Sequence, residues 1–291
     1  MRSGAMLNMV LICLSKINFS NFAAHNINMK NILKSLLVVG LCLKISAASA
    51  WGTTGHRVVA EIAERNLSSK AKKNIEKLIG KQKLAYWANW PDFVKSDHAW
   101  DHTGNFHFIN TEGMLSVDAF KEAMLTSKED NIYKAILRLE SELKDKNLPL
   151  KQKQENLYFI IHLVGDAHQP MHVSRAEDLG GNKVEVTWFG KKTNIHRVWD
   201  TDIVEGEKYS YTEYATVLDI FNKQQTRAYQ AGELADWLYE SSTMADKIYA
   251  DVAHNANLSY RYVYENKSVA EDALLKGGLR LAKILNGVFA K

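Results

Sequence analysis

HLVGDAHQPMH, residues 162–172, closes a helical pattern that runs over 152–168. His162 and Asp166 stand four positions apart, so on a helix they share a face and offer an imidazole and a carboxylate to one point. Zinc accepts such a pair, taking histidine nitrogen and aspartate oxygen at about 2.0–2.2 Å. A surface His–Asp pair or a capped core histidine would give the same spacing. His168 leaves that face and reads as structural. Pro170 lacks an amide hydrogen and clashes with the preceding turn, so it ends or kinks the helix and lets His172 serve a different metal. HRVWD (196–200) repeats the four-residue spacing with His196 and Asp200.

Outward from this stretch, helical periodicity dominates. Val58, Val59, Ile62, Ala63 and Leu67 form an apolar stripe behind Thr53 and Thr54, which can cap it. Ile75, Leu78 and Ile79 mark a second helix stopping at Gly80, and further helical patterns cover 118–126, 131–145, 226–253 and 268–288. Only KVEVTWF (183–189) alternates as a strand does, followed by a Gly190-Lys191-Lys192 turn. The prediction is an all-α, single helical domain with a small β-hairpin.

The N-terminal part reads differently. Lys30 and Lys34, an apolar run from Leu36 to Leu43, and Ala48 and Ala50 make the three parts of a secretory signal, with cleavage expected after Ala50. Residues 1–50 are thus expected to be leader, starting at Met29 or carrying a native extension, and 51–291 the functional domain. The apolar run is too short to span a bilayer, so no stable membrane association is expected. Without the leader, Lys+Arg falls from 37 to 32 against 33 Asp+Glu, and both cysteines, Cys13 and Cys42, are gone. The whole-chain pI of 8.8 therefore argues for no basic nucleic-acid-binding face. Stability must come from the core or from metals, since no disulfide remains. The expected location is secreted or periplasmic.

Asp92 in WANWPDFVKSD and His107 in NFHFIN, taken singly, read equally as a helix cap and a core histidine. The order of motifs says more. Trp51-Gly-x-x-Gly-His56, Trp-x-Asp92, His107-Phe-Ile, His162-x-x-x-Asp166-x-x-x-x-x-His172, Gly180-Gly181-Asn182 and His196-x-x-Trp-Asp200 follow one another across residues 51–200. This succession resembles the single-strand-specific zinc nucleases of the S1/P1 family, and looks like a bacterial-type member. Fungal and plant relatives carry disulfides, and this chain departs from them there.

The resemblance implies a helical fold, related to that of zinc-dependent phospholipase C, with three Zn2+ ions in a cleft. It implies Asp92, His107, His162 and Asp166 around one ion. The Trp51 amino nitrogen and carbonyl, His56 and Asp166 would hold the second, and His172, His196 and Asp200 the third. It implies hydrolysis of single-stranded RNA and DNA, and of 3′-nucleotides, to 5′-phosphate or nucleoside products, with zinc activating water. Asp92, Lys95 and Asp166 would then be catalytic. Lys95 matches a position that steadies phosphoryl charge, and Asn182 resembles a phosphate-contacting asparagine. Phe108 matches a base-stacking position; Asn110 stands where fungal members carry a base-reading aspartate, so weak base preference is expected. The residues also admit plainer readings: a solvated lysine, a hairpin-entry turn, a packed phenylalanine. Two rival functions use similar ligands. Zinc-dependent phospholipase C also starts on a ligating tryptophan but typically ends on glutamate where this chain has Asp200. A non-catalytic zinc-binding protein would need no phosphate-facing Lys95.

Overall fold

Residues 51–290 are described by a computed structural model; the expected leader and its cleavage point lie outside the described residues. The helix carrying His162 and Asp166 organises the rest. From Asn156 to Asp166 every residue of this helix, α7 in chain order (Leu150–Asp166), is buried. LYFIIHLV supplies apolar side chains on all sides, which suits a helix covered all round. Each fully buried Phe, Ile or Leu stabilises by about 1.5–3 kcal/mol.

Before α7 come α1 (Thr53–Arg65), α2 (Ser69–Ile79), α3 (Leu84–Trp87), α4 (Trp90–Val94), β1 (Ile109–Thr111), α5 (Val117–Thr126) and α6 (Ile132–Lys144). After it come β2 (Val173–Arg175), β3 (Glu185–Trp188), β4 (Lys191–Asn194), α8 (Ile195–Arg197), α9 (Ile203–Gly206), α10 (Tyr211–Leu218), α11 (Lys223–Tyr229), α12 (Leu234–His254), β5 (Asn257–Leu258) and α13 (Tyr260–Phe289). Helix α13 packs along α1, α6 pairs with α7, and α1, α4 and α13 all touch α7. The apolar stripe of α1 and the closing helix meet as their periodicity predicts.

The strands are few and short, and the fold is all-α with a small hairpin as expected. β3 and β4 pair antiparallel, Glu185 opposite Asn194 and Trp188 opposite Lys191. Phe189 (φ 49°) and Gly190 (φ 78°) turn the chain with left-handed dihedrals at both positions, the twist a two-residue hairpin needs.

Several boundaries differ from the sequence reading. The expected helix over 226–253 is two helices, because the chain turns at Gly232 (φ 78°), where Trp237 Nε1 donates to the Ala231 carbonyl at 2.7 Å. The last helix begins at Tyr260, well before 268. Neither Thr53 nor Thr54 caps α1: Gly52 is its N-cap and makes no side-chain bond, while Gly52 N–H donates to the Asp200 carbonyl at 2.5 Å. The N-terminal segment is thus tied to the second His–Asp motif. A parallel pair, β1 with β2, was not legible at all; it sets Ile109 beside Val173 and Asn110 beside Ser174.

Candidate metal centre

Three groups of metal-binding side chains lie together: His56, His162 and Asp166; Asp92, His107 and His162; and His172, His196 and Asp200. Seven segments supply them. His56 comes from α1, Asp92 from the first turn of α4, His107 from the end of a 3-10 segment (His98–His107), and His162 and Asp166 from α7. His172 ends the 3-10 turn Pro170–His172, where Pro170 stands at the start and ends the α-helical run. His196 lies in α8, and Asp200 in a π-helical turn, Val198–Asp202. The wider turn keeps the pair together, with His196 Nε2 3.0 Å from Asp200 Oδ2.

Asp166 is the shared carboxylate. Its Oδ1 lies 3.2 Å from His56 Nε2, and its Oδ2 lies 3.0 Å from His107 Nδ1 and 3.3 Å from His162 Nε2. The His56 and His162 rings stack at 3.8 Å. Gly165 makes this possible: a Cβ there would stand 2.8 Å from His56 Nδ1. Trp51 is fully buried and its ring edge reaches the same spot, Cδ1 lying 3.8 Å from that Cβ position.

Backbone carbonyls orient three of the imidazoles. Nδ1–H of His162 donates to Ala88 O at 2.7 Å, that of His172 to His107 O at 2.7 Å, and that of His196 to Gly180 O at 2.6 Å. With the proton on Nδ1, each neutral ring aims its Nε2 lone pair inward. His162 Nε2 then faces carboxylate oxygens of Asp166 and, at 3.6 Å, Asp92. His172 Nε2 faces Asp200 Oδ1 at 3.8 Å. Lone pair against carboxylate is repulsive unless a proton or a cation lies between. The buried Nε2 atoms of His56, His107, His172 and His196, and Asp166 Oδ1, have no hydrogen-bond partner. Each such orphan costs about 1–3 kcal/mol; metal cations would engage those of His56, His172, His196 and Asp166, while His107 faces its group through Nδ1. The donor set fits zinc.

Electrostatics agree with this. Burial and the facing His162 lower the His56 imidazole, and burial with Lys95 nearby brings His107 down to about 4. Burial also lowers His172. Burial works against ionisation of Asp166 and Asp92, yet the surrounding imidazoles, and Lys95 for Asp92, hold both carboxyls below their usual range. In His162 and His196 the pull of the adjacent aspartates outweighs burial and raises the imidazole. The result is anionic carboxylates among rings, most of which favour the neutral, metal-binding form.

A profile of the family described as S1/P1 Nuclease matches residues 51–290. The chain belongs to the S1/P1 nuclease family. Endonuclease 2 of Arabidopsis thaliana is 29% identical over 290 residues, covering 90% of this chain and 99% of that protein. Endonuclease 4 of the same plant is 30% identical over 288 residues, covering 87% and 94%. Nuclease S1 of Aspergillus oryzae is 28% identical over 286 residues, covering 84% and 96%. The protein is a nuclease, a hydrolase acting on nucleic acid.

Of the other residues picked out in the sequence of this nuclease, Lys95, Phe108 and Asn110 lie beside members of the three groups or the carbonyl that orients one of them. Lys95 Nζ lies 2.7 Å from Asp92 Oδ1 at the partly exposed rim. Phe108 follows His107 and is 36% exposed, enough to present a ring face. Asn110 projects toward Gly180, and its buried Oδ1 has no partner. Asn182 donates to Leu179 O at 2.9 Å, closing the turn. Gly180 and Gly181 (φ 66° and 83°) run against the backbone and side chain of Met171 and against Ile195. The carbonyl of Gly180 that orients His196 is a role the sequence did not reveal. His168 stays out of all three groups. Its Nδ1–H donates to Val164 O and its Nε2 accepts from Arg280 Nη1 at 3.0 Å; burial and the Arg280 charge bring it down to about 3. His98 and His102 are exposed. Among the described residues, no helix is long and apolar enough to cross a membrane.

Proposed function

We propose that this nuclease is a secreted or periplasmic zinc-dependent phosphodiesterase that cleaves single-stranded RNA and DNA to 5′-phosphate products and also acts on 3′-nucleotides. The observation that carries it is the inward-facing, unpartnered Nε2 set of His56, His172 and His196 beside three buried or partly buried aspartates. Asp92, His107, His162 and Asp166 would hold one Zn2+; the amino nitrogen and carbonyl of Trp51, with His56 and Asp166, a second; His172, His196 and Asp200 a third. Bound zinc supplies Lewis-acid activation of water and neutralises charge at phosphorus.

The chain's own residues do the rest. The carbonyls of Ala88, His107 and Gly180 fix ring orientation before substrate arrives, so little reorganisation accompanies reaction. Lys95 places an ammonium beside Asp92, where it meets the phosphoryl oxygens. Phe108 stacks an unpaired base, which a duplex cannot offer without losing its own stacking. Asn110 and Asn182 offer amides to base and phosphate. The leader pattern before Trp51 supports export, and its removal would free the Trp51 amine.

Protein beginning at Trp51 is expected to digest single-stranded RNA and DNA, leaving nucleotides with 5′-phosphate, with activity lost in chelator and restored by zinc. Products bearing 3′-phosphate, or no cleavage by zinc-loaded protein, would overturn the reading. Lys95→Ala is expected to lower kcat by about 10²-fold, the scale of one removed transition-state donor, with zinc per chain unchanged. If zinc is lost in parallel, Lys95 supports the metal site and does not face phosphate.

A further inference from the structure

Gln169 is fully buried between the end of α7 and the turn that carries His172. Its amide orientation follows from its neighbours. The side-chain Oε1 accepts the Met171 backbone N–H at 2.6 Å. A peptide N–H can only donate, so the oxygen must face it and Nε2 must be the group that hydrogen-bonds Asp200 Oδ1.

We propose that Gln169 is a positioning residue for the third metal group: it occupies Asp200 Oδ1, commits Asp200 to ligate through Oδ2, and in the same gesture caps the turn bearing His172. The inference rests on the ligand set of the proposed function. Asp200 Oδ2 is the oxygen nearest His196 Nε2, at 3.0 Å, whereas Oδ1, 3.8 Å from His172 Nε2, already has its proton donor in Gln169. A carboxylate bound only by metal can swing between one-oxygen and two-oxygen ligation; a donor fixed on Oδ1 removes that freedom. The Asp200 backbone is held as well, through its carbonyl and Gly52 N–H. His172 is fixed at both ends, by the Gln169 cap ahead of it and by the His107 carbonyl at its Nδ1. One side chain therefore ties together two of the three members of the group, although they are 28 residues apart in sequence. Outer partners of this kind typically change metal affinity 10–100-fold.

The test is a chelator titration of zinc-loaded protein, counting ions per chain by native mass spectrometry, for the parent, Gln169→Met and Gln169→Asn. Methionine keeps the length and removes both hydrogen bonds. Asparagine keeps the amide but is one methylene too short to span both partners, and it serves if the methionine variant does not fold. The expected result is one ion leaving at a chelator concentration at least ~10-fold below the parent's, while the other two leave where the parent's do. A folded variant that keeps that ion at the parent's midpoint overturns the proposal. So does parallel weakening of all three ions, the mark of a merely structural role. A parent that binds only two ions refutes the three-ion ligand set itself, and is told apart because it needs no variant.

Discussion

Asp166→Asn is expected to lower kcat/KM by ~10³-fold or more, equivalent to about 4 kcal/mol of transition-state stabilisation. The reason is that both oxygens of this carboxylate are engaged, Oδ1 toward His56 and Oδ2 toward His107 and His162. An asparagine of the same size carries one oxygen and one donor. With its oxygen on the Oδ2 side, its NH2 meets His56 Nε2 and occupies the lone pair a cation would use. With the amide reversed, it faces His107 and His162 in the same way. Either orientation disables one group and removes the anionic charge from the other. Zinc per chain, measured beside the kinetics, should fall by at least one ion. Asp200→Asn is the matching control, since Asp200 belongs with His172 and His196 and not with α7. An Asp166→Asn enzyme within tenfold of the parent would show that the carboxylate bridges nothing.

One methionine placed before Trp51 is expected to cost ~10²-fold or more in activity and to weaken one ion selectively. A free α-amino group titrates near 8 and gives up its proton to a metal; in Met-Trp51 the same nitrogen is a planar amide with no available lone pair. Trp51 cannot shift to compensate. It is fully buried, its Cβ lies 2.9 Å from the position a Cβ on Gly55 would take, and Gly52 N–H is bound to the Asp200 carbonyl. The comparison is between matched preparations beginning at Trp51 and at the added methionine, assayed on single-stranded RNA with zinc counted per chain. Equal activity and equal zinc would remove the terminal amine from the ligand set, and with it the idea that cleavage of the leader completes the site.

The legible part of the site was the part written in local spacing. His162 with Asp166 and His196 with Asp200 are four apart, and any helical turn, α or π, brings such residues to one side. Pro170 announced the break that sends His172 away from α7. What spacing could not supply was the partner of each ring's other nitrogen. His162 finds Ala88 O across 74 positions, and His172 finds His107 O across 65. Carbonyls carry no side-chain signature, so no sequence pattern marks them. Gln169 was hidden for a related reason: a lone glutamine carries no spacing signal, and only its burial beside Asp200 sets it apart. The β1–β2 pair was missed because three residues are too few to show alternation. The break at Gly232 in the helix expected over 226–253 was missed because apolar periodicity continues on both sides of the turn.

By itself the sequence determined the helical class, the hairpin, the order of the ligand-type residues and the family they resemble, since each depends on near neighbours or on motif order. Tertiary structure alone decided which of those residues meet, that His168 finds Arg280 as its partner, and which lone pairs point inward. Those outcomes are set by the packing of α1, α4 and α13 against a fully buried α7, where side chains and carbonyls far apart in the chain must satisfy one another without water.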